Sequence, residues 1–397
     1  MTPVAVAVPA MPLMAAQALP VMVGMPAQGG ACGSQPPPFL AQEDECQPAV
    51  ALQALASRGF PRGLASEVLN SSTQSFPIRL WVVDNSGSMQ VADGSRLVAV
   101  AGGSSRMVRS TRWEELADTL GAIAEVSEAT GGRTDFLLLN PPTRGGPQHA
   151  SVGGDSSSLP VAQLGPQMGS GQLRALMQSV SPAGGTPLTE AVMQVISLLE
   201  PAVPHLTSRG QQAVVVLATD GMPNHPPSFL SALQHLQTLP VWLVVRLCTN
   251  DEAVVAYWNN LDKSLEAPLE VLDDEAGEAE EITALNPWLA YGPPLHLARE
   301  FGLRHRLFDL LDEAVLTPSQ VRTFIELILG CGPLPEPELE WTSFMAELKV
   351  ALSSAPSTVD PRNGQRAPWV NTRRLGRLHP SGALGAVCCP GGACTLL

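Results

Sequence analysis

The stretch IRLWVVDNSGSM, residues 78–89, joins an apolar run to a short polar loop. Apart from Arg79, the first six residues are apolar, which is the pattern of a strand buried on both faces of a sheet. Asp84 follows this run directly, and Ser86 and Ser88 come next at alternate positions. We therefore predict a buried strand that ends at residue 83 and brings three oxygen-bearing side chains to its carboxyl end.

Apolar strands and amphipathic helices alternate through the centre of the chain. Thr111 and Glu114 have the spacing of a capping box, which predicts a helix over about 112–129. The apolar runs at 213–218 and 241–245 predict two more buried strands. Such runs, separated by helices, indicate a doubly wound α/β fold with a mostly parallel sheet covered on both faces. The other elements predicted here are strands at 134–139 and 269–272 and helices at 173–180, 188–199 and 251–265.

The two ends of the chain differ in composition from its centre, because Pro and Gly are concentrated there. The apolar N-terminus carries no basic residue before Arg58, so it is predicted to be a disordered leader rather than a cleaved signal peptide, which stays the alternative. After residue 276 the strand patterns stop and helical patterns continue. The predicted organisation is a disordered leader (1–50), a short helical linker (51–75), the α/β domain (76–275), a helical extension (276–354) and a disordered tail (355–397).

The charge of the chain is strongly negative, at −14, and no basic stripe is present. Nucleic acid is therefore excluded as an expected partner. Most of the acidic excess lies after residue 260, in the segments 273–275 and 278–281. For these segments the sequence predicts a solvated helix face.

Two further segments complete a candidate site with the loop at Asp84. A Gly-Gly-Thr-Pro loop carries Thr186, and Asp220 follows the strand predicted at 213–218. In an open α/β sheet, ligands bind beyond the carboxyl ends of the strands, where the strand order reverses. Mg²⁺ prefers six oxygen ligands at about 2.0–2.1 Å. We predict that hydroxyl groups bind such a cation directly, and that Asp84 and Asp220 hold those hydroxyls and bound waters from behind.

These three segments resemble the metal-ion-dependent adhesion site of von Willebrand factor type A domains, whose motif is D-x-S-x-S with a separate Thr and Asp. The resemblance extends over residues 76–275, about half the chain. It implies a Rossmann-like fold that binds Mg²⁺, with Mn²⁺ or Ca²⁺ as alternatives, and a partner protein that supplies Asp or Glu as the sixth ligand. The metal-site residues that it implies are Asp84, Ser86, Ser88, Thr186 and Asp220.

One feature departs from the family pattern. In the family the first helix starts soon after the metal loop, whereas here about twenty residues intervene before the helix predicted at 112. Residues 97–101 and 106–109, around Gly102-Gly103, predict a hairpin beside the metal that contacts or gates the ligand. This insertion makes the chemistry of the partner harder to infer.

Three interpretations of the function stay open at this point. The leading one is a metal-dependent binding module. The second is a non-ATPase subunit of an enzyme complex such as a metal chelatase, because the chain has no G-x-x-x-x-G-K-[ST] phosphate loop. It also lacks a G-x-S-x-G nucleophile elbow, so we expect no catalysis by this chain alone. In the third interpretation Asp84 and Asp220 only cap turns, and the fold is retained without metal.

The cysteine pattern indicates the cellular compartment of the protein. None of the seven falls in a C-x-x-C pair, and no apolar run is long enough to span a membrane, so a reducing, cytoplasmic compartment is expected. The sequence CTLL at 394–397 matches the C-a-a-X prenylation pattern. Lipids on Cys394 and on Cys388 or Cys389 would anchor the chain to a membrane. An unmodified tail is the alternative.

Overall fold

A computed structural model describes residues 38–99, 105–154, 161–162, 164–265 and 269–379 of the chain. The predicted lipidation sites Cys388, Cys389 and Cys394 lie outside these residues, as does most of the predicted leader. The chain divides into two units, Met1–Glu43 and Asp44–Leu397. Of the first unit, only residues 38–43 are described, and they begin a helix. The fold and the sites below belong to the second unit.

The strands form one large sheet and two small hairpins. They are β1 (Ile78–Val83), β2 (Gly94–Ala99), β3 (Ser105–Ser110), β4 (Arg133–Leu138), β5 (His149–Val152), β6 (Ala213–Thr219), β7 (Val241–Leu247), β8 (Glu270–Leu272), β9 (Thr358–Asp360) and β10 (Gln365–Ala367).

The helices cover both faces of the large sheet. Within the described ranges, none of them combines the length and the apolar character needed to cross a bilayer. They are α1 (Pro38–Ser57), α2 (Arg62–Asn70), α3 (Arg112–Thr130), α4 (Ser170–Ser179), α5 (Leu188–Leu199), α6 (Val203–Ser208), α7 (Pro226–Gln237), α8 (Glu252–Ser264), α9 (Glu275–Leu285), α10 (Pro293–Glu300), α11 (Arg306–Glu313), α12 (Pro318–Leu329), α13 (Trp341–Ser354) and α14 (Thr372–Leu378).

The large sheet has six strands in the order β5-β4-β1-β6-β7-β8. All neighbouring strands are parallel except β5, which pairs antiparallel with β4 at one edge. Successive residues of β1 point to opposite faces, so that Leu80 and Val82 join one hydrophobic core while Trp81 and Val83 join the other. The predicted doubly wound α/β fold with a mostly parallel sheet is confirmed.

Local sequence signals determine how α3 begins. The hydroxyl of Thr111 accepts a hydrogen bond from the backbone N–H of Glu114 (3.1 Å), and the Glu114 carboxylate accepts one from the N–H of Thr111 (2.9 Å). Both bonds satisfy donors that a helix start leaves unpaired, as predicted from the capping-box spacing. Just before α3, β2 and β3 pair as an antiparallel hairpin. The predicted pairing is confirmed for these two strands, while the predicted turn at Gly102-Gly103 lies outside the described residues.

The segments expected to be a linker and a tail differ from their predictions. Leu64 and Val68 on α2 are fully buried in the core, so residues 51–75 are an integral part of the domain. Residues 355–379 also fold, as β9, β10 and α14, and Trp369 among them is fully buried. Their apolar residues are isolated in the sequence, and only contacts with distant helices give them a core to join.

Of the acidic residues in the segment 278–281, Glu280 and Glu281 are exposed as predicted, whereas Glu278 is not. Glu278 is 2% exposed, and its carboxylate accepts a hydrogen bond from the Arg299 guanidinium on α10 at 2.6 Å. A buried carboxylate is tolerated when an opposite charge pairs with it. Because the partner lies 21 residues further along the chain, the local sequence gave no sign of this burial.

Candidate metal centre

The two predicted aspartates lie at the carboxyl ends of neighbouring parallel strands. Asp84 follows β1, and its backbone N–H donates to the carbonyl of Ala218 in β6 at 2.9 Å. Asp220 comes directly after β6. From β1 the chain passes to β4 on one side and later returns to β6 on the other side. The two carboxylates therefore lie where the strand order reverses, the place where open α/β sheets bind ligands.

Asp84 organises the loop that follows β1. It is fully buried, and its Oδ1 atom accepts a hydrogen bond from the backbone N–H of Ser86 at 2.8 Å. Its Oδ2 atom accepts one from the hydroxyl of Thr219 at 2.7 Å. Burial raises the pKa of Asp84, the nearby charge of Asp220 raises it further, and these hydrogen bonds oppose the rise. With both oxygens bonded to protein, Asp84 holds the loop in shape.

Two hydroxyl groups and one carboxylate oxygen lie close together in the loops that follow β1 and β6. The hydroxyls of Ser86 and Ser88 lie 3.0 Å apart, and the Ser88 hydroxyl donates to the Oδ1 atom of Asp220 at 2.8 Å. Two adjacent ligands of an octahedral cation, each about 2.1 Å from it, are separated by about 3.0 Å. The 3.0 Å between the two hydroxyls therefore fits neighbouring ligands of one Mg²⁺-sized cation.

Thr186 lies on the loop before α5, which is joined by hydrogen bonds to the loop of Asp84. The backbone N–H of Gly87 donates to the carbonyl of Gly184 (3.2 Å), and that of Ala183 donates to the carbonyl of Asn85 (2.8 Å). Thr186 is half-buried, and its hydroxyl makes no hydrogen bond to the other four predicted residues. The structure thus brings four of the five residues into contact or adjacency and places the fifth on the neighbouring loop.

A pair of asparagines joins the two loops to the end of β4. The Asn85 side chain donates to the carbonyl of Asn140 and accepts from its N–H, both at 2.8 Å. The Asn140 side chain then donates to the carbonyl of Gly185 at 2.8 Å. Gly184 has φ +93°, and a Cβ there would lie 2.5 Å from Asn140 Oδ1. The loop of Thr186 therefore needs glycine at this position in order to approach the site.

Arg112 is a site residue that the sequence did not reveal. Its Nη1 atom donates to Asp220 Oδ2 at 2.9 Å, while Nε and Nη2 bind both oxygens of Asp93 at 2.8 and 2.6 Å. The hydrogen bonds from Arg112 lower the pKa of Asp93. Arg112 and Asp220 are 108 residues apart, so no local pattern marks the contact. The sequence shows Thr219 directly before Asp220, but no local pattern predicts its hydrogen bond to Asp84.

The formal charges leave the site negative. Arg112 and Asp93 neutralise one another, which leaves the buried carboxylates of Asp84 and Asp220. Buried charges of one sign are costly unless a counter-ion is present. One divalent cation would balance these two carboxylates. In the described part of the chain, no group of three or more His, Cys, Asp or Glu side chains is arranged to hold a metal.

Comparisons with known proteins give only remote similarity. The sequence matches no protein-family profile and no curated protein. Among solved structures, proximal thread matrix protein 1 from the mussel byssus is 13% identical with a TM-score of 0.27, and the match covers 44% of this chain and 38% of that one. The manganese-loaded TRAP protein of Plasmodium vivax is 16% identical with a TM-score of 0.29 (51% and 69% covered). A variant of the PilB minor pilin of Streptococcus sanguinis is 13% identical with a TM-score of 0.34 (60% and 61% covered). At these values, none of the three defines a function for this chain.

Proposed function

We propose that residues 76–275 are a von Willebrand factor type A-like binding module that holds a divalent cation. Mg²⁺ is the expected ion, with Mn²⁺ or Ca²⁺ as alternatives. The observation that carries the proposal is the pair of hydroxyls of Ser86 and Ser88, whose spacing of 3.0 Å suits adjacent ligands, with the Asp220 carboxylate accepting the Ser88 hydroxyl at 2.8 Å. Thr186 would join from the neighbouring loop.

The residues have different roles in this proposal. Ser86 and Ser88 bind as neutral hydroxyls, so the cation keeps most of its charge for an incoming anion. Asp84 orients the loop and Asp220 receives the Ser88 hydroxyl, which places negative charge behind the ligands. When bound, the cation supplies a coordination position for a carboxylate. We therefore propose that the partner is a protein that offers an Asp or Glu side chain.

Calorimetric titration of Mg²⁺ tests the metal site. The wild-type chain should bind one ion, and the double variant Ser86→Ala/Ser88→Ala should lose this binding while its circular dichroism stays native. The matched control is Ser197→Ala/Ser353→Ala, two exposed helix serines whose hydroxyls bond only to their own helix backbone. Equal binding by the wild type and the Ser86/Ser88 variant would show that the site is assigned wrongly.

The partner chemistry needs a separate measurement. Proteins captured from native lysate with Mg²⁺, and released by chelator, are the candidates. Reversing the charge of one Asp or Glu on the partner should remove its binding, and chelator should have no further effect on that variant. A partner held equally well in excess EDTA would contradict the carboxylate mechanism without affecting the metal titration.

A further inference from the structure

The hairpin of β2 and β3 has one covered edge and one open edge. The covered edge is that of β2, because the backbone N–H of Ser95 donates to the Glu115 carboxylate of α3 at 2.9 Å. In an antiparallel pair, residues that exchange hydrogen bonds with the other strand alternate with residues whose backbone groups point away from it. Since the N–H of Ser95 points away from β3, its cross-strand neighbour Arg109 also directs its N–H and C=O away from β2.

The same alternation applies along the whole of β3. The backbone groups of Ser105, Met107 and Arg109 face outward, while the residues between them bond to β2. At Ser105 the turn between β9 and β10 approaches the carbonyl oxygen, since a Cβ on Gly364 would lie 2.7 Å from it. Within the described residues, no hydrogen bond reaches the outward N–H and C=O groups of Met107 and Arg109. β3 therefore has an unpaired strand edge at these two residues.

The open edge is basic, in a chain whose net charge is −14. Arg106 and Arg109 of β3 are both exposed. Among the side chains that the structure describes, neither guanidinium has an ion-pair partner, whereas Arg96 of β2 binds Asp118 at 3.3 Å. Because side chains alternate along a strand, the two arginines project from opposite faces of the hairpin. A strand that approaches this edge therefore meets a positive charge on each of its faces.

The edge also adjoins the candidate metal centre. The hydrogen bonds from Arg112 lower the pKa of Asp93, and the nearby charge of Arg109 lowers it further. Arg112 in turn binds Asp220 at 2.9 Å. Arg112 follows Arg109 by three residues, which corresponds to about 10 Å of extended chain. A segment that pairs with β3 can therefore continue toward the carboxylates of the candidate site.

We propose that the edge of β3 binds an extended acidic segment of a partner protein, which adds to the hairpin as a third strand. The backbone groups of Met107 and Arg109 would supply the hydrogen bonds, as in other complexes formed at a sheet edge. Carboxylates of the segment would pair with Arg106 and Arg109. Because these arginines lie three residues apart, the segment needs Asp or Glu at the same spacing. A second copy of this chain does not fit, since two edges that both carry unpaired arginines repel each other.

A peptide separates this strand addition from the metal site. The probe is fluorescein-labelled Thr-Glu-Val-Thr-Glu-Val-amide, whose glutamates have the required spacing, and fluorescence polarisation follows its binding to the full chain. Strand addition needs no cation, so the titration is run in excess EDTA, and each of the two proposals can fail without the other. We expect saturable binding. The peptide with both glutamates replaced by lysine should bind about tenfold more weakly or worse, because its charges repel the arginines.

Methylated peptides test the backbone hydrogen bonds. In a paired strand, the N–H groups of alternate residues face the neighbouring strand and the others face away. One peptide carries N-methyl groups on its second and fourth residues, and the other on its third and fifth. One of them should bind about tenfold more weakly or worse, because it loses two donors, and the other should bind like the parent. Equal binding by all three peptides overturns strand addition, because attraction between charges alone would give that result.

Variants of the chain locate the binding on β3. Arg106→Gln/Arg109→Gln removes the two exposed charges and should weaken peptide binding about tenfold. The matched control Arg373→Gln/Arg377→Gln removes two exposed arginines of α14 and should leave the binding unchanged. Equal binding by the two variants, or no binding by the wild type, would mean that the arginines only protect the edge from association. Sedimentation of the wild-type chain as a dimer that the peptide does not dissociate would assign the edge to a second copy instead.

Discussion

Replacing Arg112 tests how the charges of the proposed metal site balance one another. Its guanidinium lies 2.9 Å from Asp220 Oδ2. The chain thus places a positive charge of its own beside a carboxylate that is expected to stabilise the bound cation. Arg112→Gln keeps a donor of similar shape and removes that charge. The formal charge of the cluster made by Arg112, Asp93, Asp84 and Asp220 then changes from −2 to −3. We expect Mg²⁺ to bind more tightly.

The size of the effect follows from Coulomb's law. A unit charge about 6 Å from a divalent cation repels it by about 5 kcal/mol at an effective dielectric constant of about 20. The Arg112 side chain is 13% exposed, and solvent and salt screen such interactions several-fold. About 1.4 to 2.8 kcal/mol should remain, which lowers the Kd for Mg²⁺ by about tenfold to a hundredfold.

Titration calorimetry at fixed ionic strength measures this Kd directly. Arg58→Gln is the matched control, because it also neutralises an arginine that pairs with a carboxylate, Glu125, but takes no part in the site. The control should leave the Kd unchanged. An Arg112→Gln protein whose Kd is unchanged or higher would refute the reasoning. In that case the main role of Arg112 would be to hold Asp220 in position.

The other predictions concern support of the site and of the fold. Thr219→Val should lower Mg²⁺ affinity about tenfold in the same titration, because Asp84 loses the donor to its Oδ2 atom. Gly63→Ala should reduce the free energy of unfolding in urea by about 3 kcal/mol, because the new Cβ would lie 2.1 Å from a carbonyl oxygen of α12. Gly171→Ala, which meets nothing within 4 Å, should cause no such loss. Trp369→Ala should lower the free energy of unfolding in urea by about 3–5 kcal/mol, because the Trp369 side chain is fully buried. An unchanged urea midpoint would contradict this burial.

The sequence correctly predicts those elements whose signal lies in a run of consecutive residues. Continuous apolar runs identified β1, β6 and β7, because strands buried on both faces need no polar alternation. β5 was missed, since it has only four residues and pairs antiparallel at an edge. α7 was missed as well, although Pro226-Pro227 at its start is compatible with a first helical turn. Short elements of mixed composition depend on tertiary contacts that the sequence does not display.

The same distinction holds in the candidate site. Asp84, Ser86 and Ser88 form a local motif, and Asp220 is recognisable because an apolar strand precedes it. The pairing of Arg112 with Asp220 and Asp93 depends on how the start of α3 packs against two loops, and no spacing rule encodes that packing.

The first turn of α3 is linked by ion pairs to the helical extension, residues 276–354. Glu115, three residues after Arg112, binds the Arg246 guanidinium of β7 at 2.5 Å and accepts the backbone N–H of Ser95 in the hairpin at 2.9 Å. Arg246 is 2% exposed and binds Glu300 of α10 at 3.1 Å. Removing the extension would leave this arginine without one of its carboxylates, and losing a partner of a buried ion pair typically costs about 3–5 kcal/mol. The helix turn that holds Asp220 through Arg112 thus depends on charges supplied from beyond residue 275, so the candidate metal site and the extension are expected to fold as one unit.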